Sequence, residues 1–158
     1  DFKSLRQKHN KQKIVFCSGS FDLLHIGHVV FLEECKKLGD ILFVCVGSDV
    51  VIKKNKGTNR PVLKEQVRLK MVDSLAAVDY SFLDKSLPSL SRPFPLFDIV
   101  FPELKPDLYV VNEDAFKLEE RRKIAEKYET KMIVLKREIP PHLEELSTTK
   151  LINKIKKI

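Results

Sequence analysis

Two rhythms of apolar and polar positions alternate along the chain. Short apolar runs at Ile14–Cys17, Ile41–Val46, Tyr80–Leu83, Leu108–Val111 and Met132–Leu135 are too brief for buried helices and read as strands. Ile41–Val46 is apolar at nearly every position, the pattern of a strand buried on both faces. Helical spacing fills the intervals. One helix is expected over 28–38 with Gly39 as its stop, and another over 64–77 with Val67, Met71 and Leu75 on one face. A short helix over 96–104 is limited by Pro102, and longer ones follow at 117–128 and 148–158. Lys53–Pro61 reads as a basic loop, and the proline- and serine-rich stretch 84–95 as a loop or insertion.

Strands alternating with helices require long crossovers, and therefore a parallel sheet covered on both faces. The expected class is α/β, a Rossmann-like five-stranded parallel sheet with helices on both faces. At 158 residues the chain suits one domain, 1–158, with an N-terminal extension at 1–12 and a second insertion at 138–146 around Pro140 and Pro141. In such sheets ligands sit beyond the carboxyl ends of the strands, which directs attention to the loops there.

Composition narrows the picture only slightly. Apolar residues at 43% and charged residues at 32% exclude a largely disordered chain. The formal charge of +7 fits nucleic acid, membrane surfaces or small polyanions equally, and many of the lysines lie in the N-terminal run and last helix as solvated surface. No aromatic-rich basic strand or recognition-helix pattern supports nucleic-acid binding. Cys17, Cys35 and Cys45 are too widely spaced for a zinc pair and fall in apolar stretches, as reduced thiols in the cytoplasm would. No uncharged apolar run is long enough for a membrane span or signal peptide. The chain begins at Asp1 rather than Met, which leaves an upstream partner domain open.

The chemistry concentrates after the first strand, in Gly19-Ser20-Phe21-Asp22-Leu23-Leu24-His25-Ile26-Gly27-His28. Two imidazoles three residues apart flank a glycine at a helix start, where unpaired amides and a partial positive charge attract phosphate. Gly27 would let backbone approach the ligand, and Gly19 and Ser20 would extend the cradle from the other side. The plainer reading is that His25 and His28 only cap and pack the helix. A zinc site would need a third ligand, and none is evident.

From these residues onward the sequence resembles the HxGH nucleotidyltransferase superfamily, in its cytidylyltransferase-like branch. GSFDLLHIGH is similar to the branch's first motif, LGDILFVCVGSD to its second strand and turn, and KGTNRPVLKEQVR to its basic loop and following arginine. AAVDY, PDLYVVNED and STTKLINKI match later segments in the right order. Within the branch, the N-terminal lead-in, KGxxRP and AVDY most resemble the heptose 1-phosphate adenylyltransferases, with the glycerol-3-phosphate cytidylyltransferases next.

The resemblance implies transfer of a nucleotidyl group from ATP or CTP to a phosphorylated small molecule, with Mg²⁺ arriving on the triphosphate. It implies His25, His28 and Lys56 as the catalytic set, the histidines at the α-phosphate and Lys56 neutralising the triphosphate from across the site, and Arg68 on the β- and γ-phosphates. Ser147, Thr148 and Thr149 would bind phosphate at the last helix, Asp22 would organise the first loop, and Asp114 and Arg137 would lie near the nucleotide. No protein-held metal site and no nucleic-acid or membrane partner is implied; a homodimer is. Each residue has a plainer alternative: solvated loop charges for Lys56 and Arg60, an exposed helix face for Arg68, a simple cap for Ser147–Thr149. Two departures stand out. VVNEDA replaces the glycine-rich turn usual after the fourth strand, so Asn112 and Glu113 bear on how base or acceptor is seated, and a long connection, Glu138–Leu146, separates Arg137 from STT. A nucleotide-binding regulatory domain without turnover is the rival from another class.

Overall fold

A computed structural model describes residues 1–87, 89 and 94–158. Five strands, β1 (Ile14–Gly19), β2 (Ile41–Gly47), β3 (Tyr80–Asp84), β4 (Leu108–Asn112) and β5 (Lys131–Leu135), form one parallel sheet in the order β3-β2-β1-β4-β5. Seven helices accompany them among the described residues: α1 (Phe2–Lys8), α2 (Ile26–Lys37), α3 (Asp49–Lys56), α4 (Glu65–Asp73), α5 (Phe97–Leu104), α6 (Leu118–Lys127) and α7 (Thr148–Ile155).

The two-residue period of β1 divides the core. Ile14 and Phe16 face α5 and α6, and Val15 and Cys17 face α2 and α4. On the first face Phe16 meets the rings of Phe97, Phe101 and Tyr109 at 5.9, 5.4 and 5.7 Å, a dense aromatic cluster under the sheet. On the second, Leu32 and Cys35 of α2 pack with Val72 of α4 against Val44 and Val46. Cys17, Cys35 and Cys45 are all free and buried.

The Rossmann-like class is as expected, and the local differences have physical causes. The expected basic loop begins as helix α3, because Ser48 caps it by accepting from the Val51 amide and Gly57, at φ 91°, ends it. The expected extension at 1–12 contains α1, which is docked: Phe2 meets Phe82 at 4.9 Å, Arg6 pairs with Asp107 at 3.0 Å, and His9 bonds the Tyr80 hydroxyl at 2.9 Å. Helix α5 runs through Pro102. The expected insertion at 84–95 falls partly outside the described residues.

Strand order reverses between β1 and β4, so the loops leaving their carboxyl ends diverge and open a crevice. The HxGH loop leaves β1 and the NEDA turn leaves β4, which puts both on that crevice.

Candidate active site

His25 is the N-cap of α2, and its Nδ1 accepts the Gly27 amide at 3.1 Å. Reciprocally, His28 Nδ1 accepts the His25 amide at 3.4 Å, so the two imidazoles form a capping box in place of the usual Ser and Glu. This explains the spacing: position N3 alone reaches back to the cap. It also fixes the tautomer. With both Nδ1 atoms accepting, each neutral ring carries its proton on Nε2, assigned from the hydrogen-bond network. The rings stack at 3.8 Å, and Phe21 meets His28 edge-on at 5.4 Å. Burial lowers both imidazole pKa values, with Arg137 adding to the effect. For His28, where His25 and Lys56 also contribute, the value is pushed down to about 3. Capping and ligand binding are thus compatible, because the cap uses one nitrogen of each ring and leaves an Nε2–H donor.

Gly27 serves the cap. Its amide is spent on His25, and an added Cβ would sit 3.0 Å from His25 Cε1 and 3.3 Å from the Leu146 carbonyl oxygen. Gly19 makes room for the loop, since a Cβ there would come within 2.9 Å of the Phe21 ring. Phe21 and Leu23 adopt φ of 48° and 49°, a left-handed backbone that the surrounding contacts hold in place.

Those contacts come from Asp22 and Arg68. Asp22, 1% exposed, accepts the Leu63 and Val62 amides at 3.0 and 2.9 Å and lies 3.2 Å from Arg60 Nε. Its carbonyl accepts the Thr148 hydroxyl at 2.8 Å, tying α7 to the first loop. Arg68 is fully buried and donates to Leu63 O at 2.9 Å, Ser20 O at 2.6 Å and Asp49 at 2.8 Å. Where Arg68 was expected to grip the β- and γ-phosphates, Nε, Nη1 and Nη2 each donate within the protein, joining three chain segments, and the side chain does not line the crevice.

The crevice is a cavity of about 360 Å³. Gly19, Ser20, Phe21, Asp22, His25, His28, Lys56, Asp114, Arg137, Ser147, Thr148 and Thr149 all line it; among the residues singled out from sequence, Gly27, Arg68 and Glu113 stand outside. It also takes in Arg60 and, from α6, Arg121, which sequence reasoning missed. Four cations thus face it, and its two carboxylates are each drawn to an arginine: Asp22 to Arg60, Asp114 to Arg137 at 3.3 Å. Two buried guanidinium nitrogens, Arg60 Nε and Arg137 Nε, lack hydrogen-bond partners; Arg60 Nε is near Asp22 yet misaligned with it. Although much of Lys56 is exposed, burial of its ammonium and the neighbouring Arg60 lower its pKa. At α7, Ser147 Oγ accepts the Lys150 amide at 3.1 Å, and the Thr148 and Thr149 amides have no acceptor among the described residues. Cations and unpaired donors with neutralised acids make an anion site.

A groove of about 550 Å³ continues past Phe31, Asn112 and Arg137 between α2 and the segment 136–141. Glu113 fixes that segment by accepting the Arg137 amide at 3.0 Å, which gives the unusual NEDA turn a structural task. Among the described residues no three His, Cys, Asp or Glu side chains converge as a metal cage.

A cytidylyltransferase-like family model matches residues 16–154, and the chain belongs to that family. It is 36% identical over 154 residues to the bifunctional protein HldE of Campylobacter jejuni strain 81116, covering 94% of this chain and 29% of that protein. To HldE of Helicobacter pylori strain G27 it is 42% identical over 107 residues, covering 68% and 21%. The chain thus spans less than a third of the curated relatives it matches. Among solved structures, a lipopolysaccharide core biosynthesis protein from Thermoplasma volcanium superposes with a TM-score of 0.63 at 28% identity, over 82% of this chain and 98% of that one. A pantoate-beta-alanine ligase from Francisella tularensis, at TM-score 0.61 and 22% identity over 99% and 75%, shares the fold. No helix of the described residues is long and apolar enough to cross a membrane.

Proposed function

We propose that this chain is a nucleotidyltransferase that moves the nucleotidyl group of ATP or CTP onto a sugar phosphate, in the manner of a heptose 1-phosphate adenylyltransferase, and releases pyrophosphate. The observation that carries the reading is one cavity that holds the His25–His28 pair, Lys56, Arg60, Arg137 and the start of α7 together. The HldE relatives favour ATP and a heptose phosphate.

The triphosphate lies in the main cavity, with its base in the groove beside Arg137. The amides at the start of α7, with Arg60 and Arg137, hold the β- and γ-phosphates. Both imidazole Nε2–H groups and Lys56 face the α-phosphate, where charge grows as the acceptor oxygen adds. No side-chain nucleophile is required, because a phosphate monoester with a second pKa of about 6 is mostly dianionic at neutral pH. One acceptor oxygen bonds to the α-phosphorus, the bond from that phosphorus to the bridging oxygen breaks, and pyrophosphate leaves with the electron pair. The protein's task is to align two anions that repel each other.

Magnesium fits this site as a companion of the triphosphate, since the cavity supplies cations and donors rather than a carboxylate cage. Bound there, it would neutralise phosphate charge and favour departure of pyrophosphate. The reading includes a cytoplasmic homodimer, supported by the family resemblance alone. A pyrophosphate-release screen of four nucleoside triphosphates against phosphorylated acceptors with Mg²⁺ tests it. Release that depends on both substrates is expected; tight nucleotide binding without release under any pairing would favour a regulatory domain.

A further inference from the structure

Beside the main cavity lies a smaller one of about 150 Å³, formed where β1, β2 and β3 end and roofed by α3 and α6. The two share Ser18, Gly19, Ser20, Lys56, Phe116 and Arg121, so they meet at the loop that leads into the histidine pair. Its far wall is aromatic, from Phe94 and Phe97, and its polar side chains away from the junction are Asn55 and Asp84.

Arg121 is built into the boundary. Its guanidinium donates to Phe116 O at 2.7 Å, to Ser18 Oγ at 3.3 Å and to the Tyr109 hydroxyl, and it lies over the Phe94 ring at 4.4 Å. Nη2 makes no hydrogen bond among the described residues, so a cation held from three sides keeps a donor for phosphate at the junction that Lys56 also lines. Asp84 is the opposite kind of group. Half-buried, it accepts the Ser86 amide and hydroxyl on Oδ1, while Oδ2 has no partner and no cation pairs with it among the described residues. Burial raises its carboxyl pKa. A carboxylate there repels phosphate and accepts from hydroxyl groups, and the apolar wall that Phe94, Leu96 and Phe97 line suits the C–H side of a carbon chain or ring.

We propose that this smaller cavity selects the acceptor: Lys56 and Arg121 hold its phosphate at the junction, and Asp84, with Asn55, reads hydroxyls on its carbon body. The inference rests on the main cavity being the triphosphate site. It favours polyhydroxylated phosphates over those bearing amines or bare alkyl groups. On the scale of about 30 Å³ of liquid per water molecule, the space takes a body of several hydroxyl-bearing carbons and excludes a second nucleoside.

The test uses Asp84→Ala and Asn55→Ala in the whole chain, with steady-state pyrophosphate release and calorimetric titration of a non-hydrolysable triphosphate analogue. Asp84→Ala should lower kcat/KM for a sugar 1-phosphate at least about tenfold, mainly through KM, as expected for a lost charged hydrogen bond. Its kcat/KM for ethyl phosphate, which offers no hydroxyl to read, should stay within about twofold, and analogue affinity should not change. Asn55, on an exposed position of α3, provides a smaller loss in the same direction without risk to folding. Equal losses for both acceptors, or no loss with either variant, would overturn the assignment. Failure of the wild-type chain to bind the analogue would instead sink the triphosphate reading, so the two failures are distinguishable.

Discussion

Asp22→Asn changes one oxygen to an amide and tests whether the site is assembled by a single buried carboxylate. Each Asp22 oxygen accepts a backbone amide, Leu63 N at 3.0 Å and Val62 N at 2.9 Å, and the charge faces Arg60. Asparagine keeps one acceptor and turns a donor toward the other amide. One hydrogen bond to a charged group is then lost, worth about 1.5–3 kcal/mol, and a buried donor is left unpaired. Arg60, 18% exposed at its side chain, also loses its counter-charge. Together these cost about 3–5 kcal/mol, the range for breaking a buried pair. For a domain of this size, about 2–4 °C in Tm per kcal/mol translates into a fall of about 6–20 °C. Thermal unfolding by circular dichroism reads it directly. The triphosphate KM should rise as well, because segment 60–63 and the first loop separate. A Tm within about 2 °C of wild type would refute the claim that Asp22 holds these segments together.

The remaining predictions concern the histidine cap and the buried arginine. Gly27→Ala pushes His25 off its cap and should lower kcat about 10- to 100-fold with only about 1 kcal/mol of stability lost; unchanged turnover would show that the ring's placement is not limiting. The depressed His28 pKa, about 3 against about 6.5 unfolded, means the unfolded chain binds the extra proton between those values. Its contribution to stability is therefore complete above about pH 6.5 and lost as pH falls toward 3; His28→Gln should flatten the fall in Tm, and parallel curves would contradict the shift. Arg68→Met should destabilise by about 3–5 kcal/mol, measured by urea unfolding; a raised triphosphate KM at unchanged stability would return Arg68 to the phosphates.

What could be read before any coordinates follows from how local each signal is. The sheet and the HxGH loop were legible because strand periodicity and a contiguous motif are properties of adjacent residues. Lys56, Asp114, Arg137 and Ser147–Thr149, far apart in sequence, line one cavity, a convergence that no local pattern along the chain could show. Arg121 was invisible because an exposed-looking helical arginine shows its target only once α6 packs beside β1 and β4. The burial of Arg68 was hidden for the converse reason: helical spacing does not tell which face of α4 is sealed against the Asp22 loop. The second half of α3 was read as a loop because its basic residues outweighed the short apolar start Val50–Ile52 that follows the Ser48 cap. The dual use of each imidazole, Nδ1 for the cap and Nε2 for a ligand, needed the actual ring geometry.

The most direct test is pyrophosphate release by wild type and His28→Ala, with ATP, Mg²⁺ and a heptose 1-phosphate, at saturating substrates. Paired Nε2–H donors at the α-phosphate predict acceptor-dependent release by wild type and a loss of at least about a hundredfold in the variant, with the fold intact by circular dichroism. Equal rates for the two proteins would contradict the account.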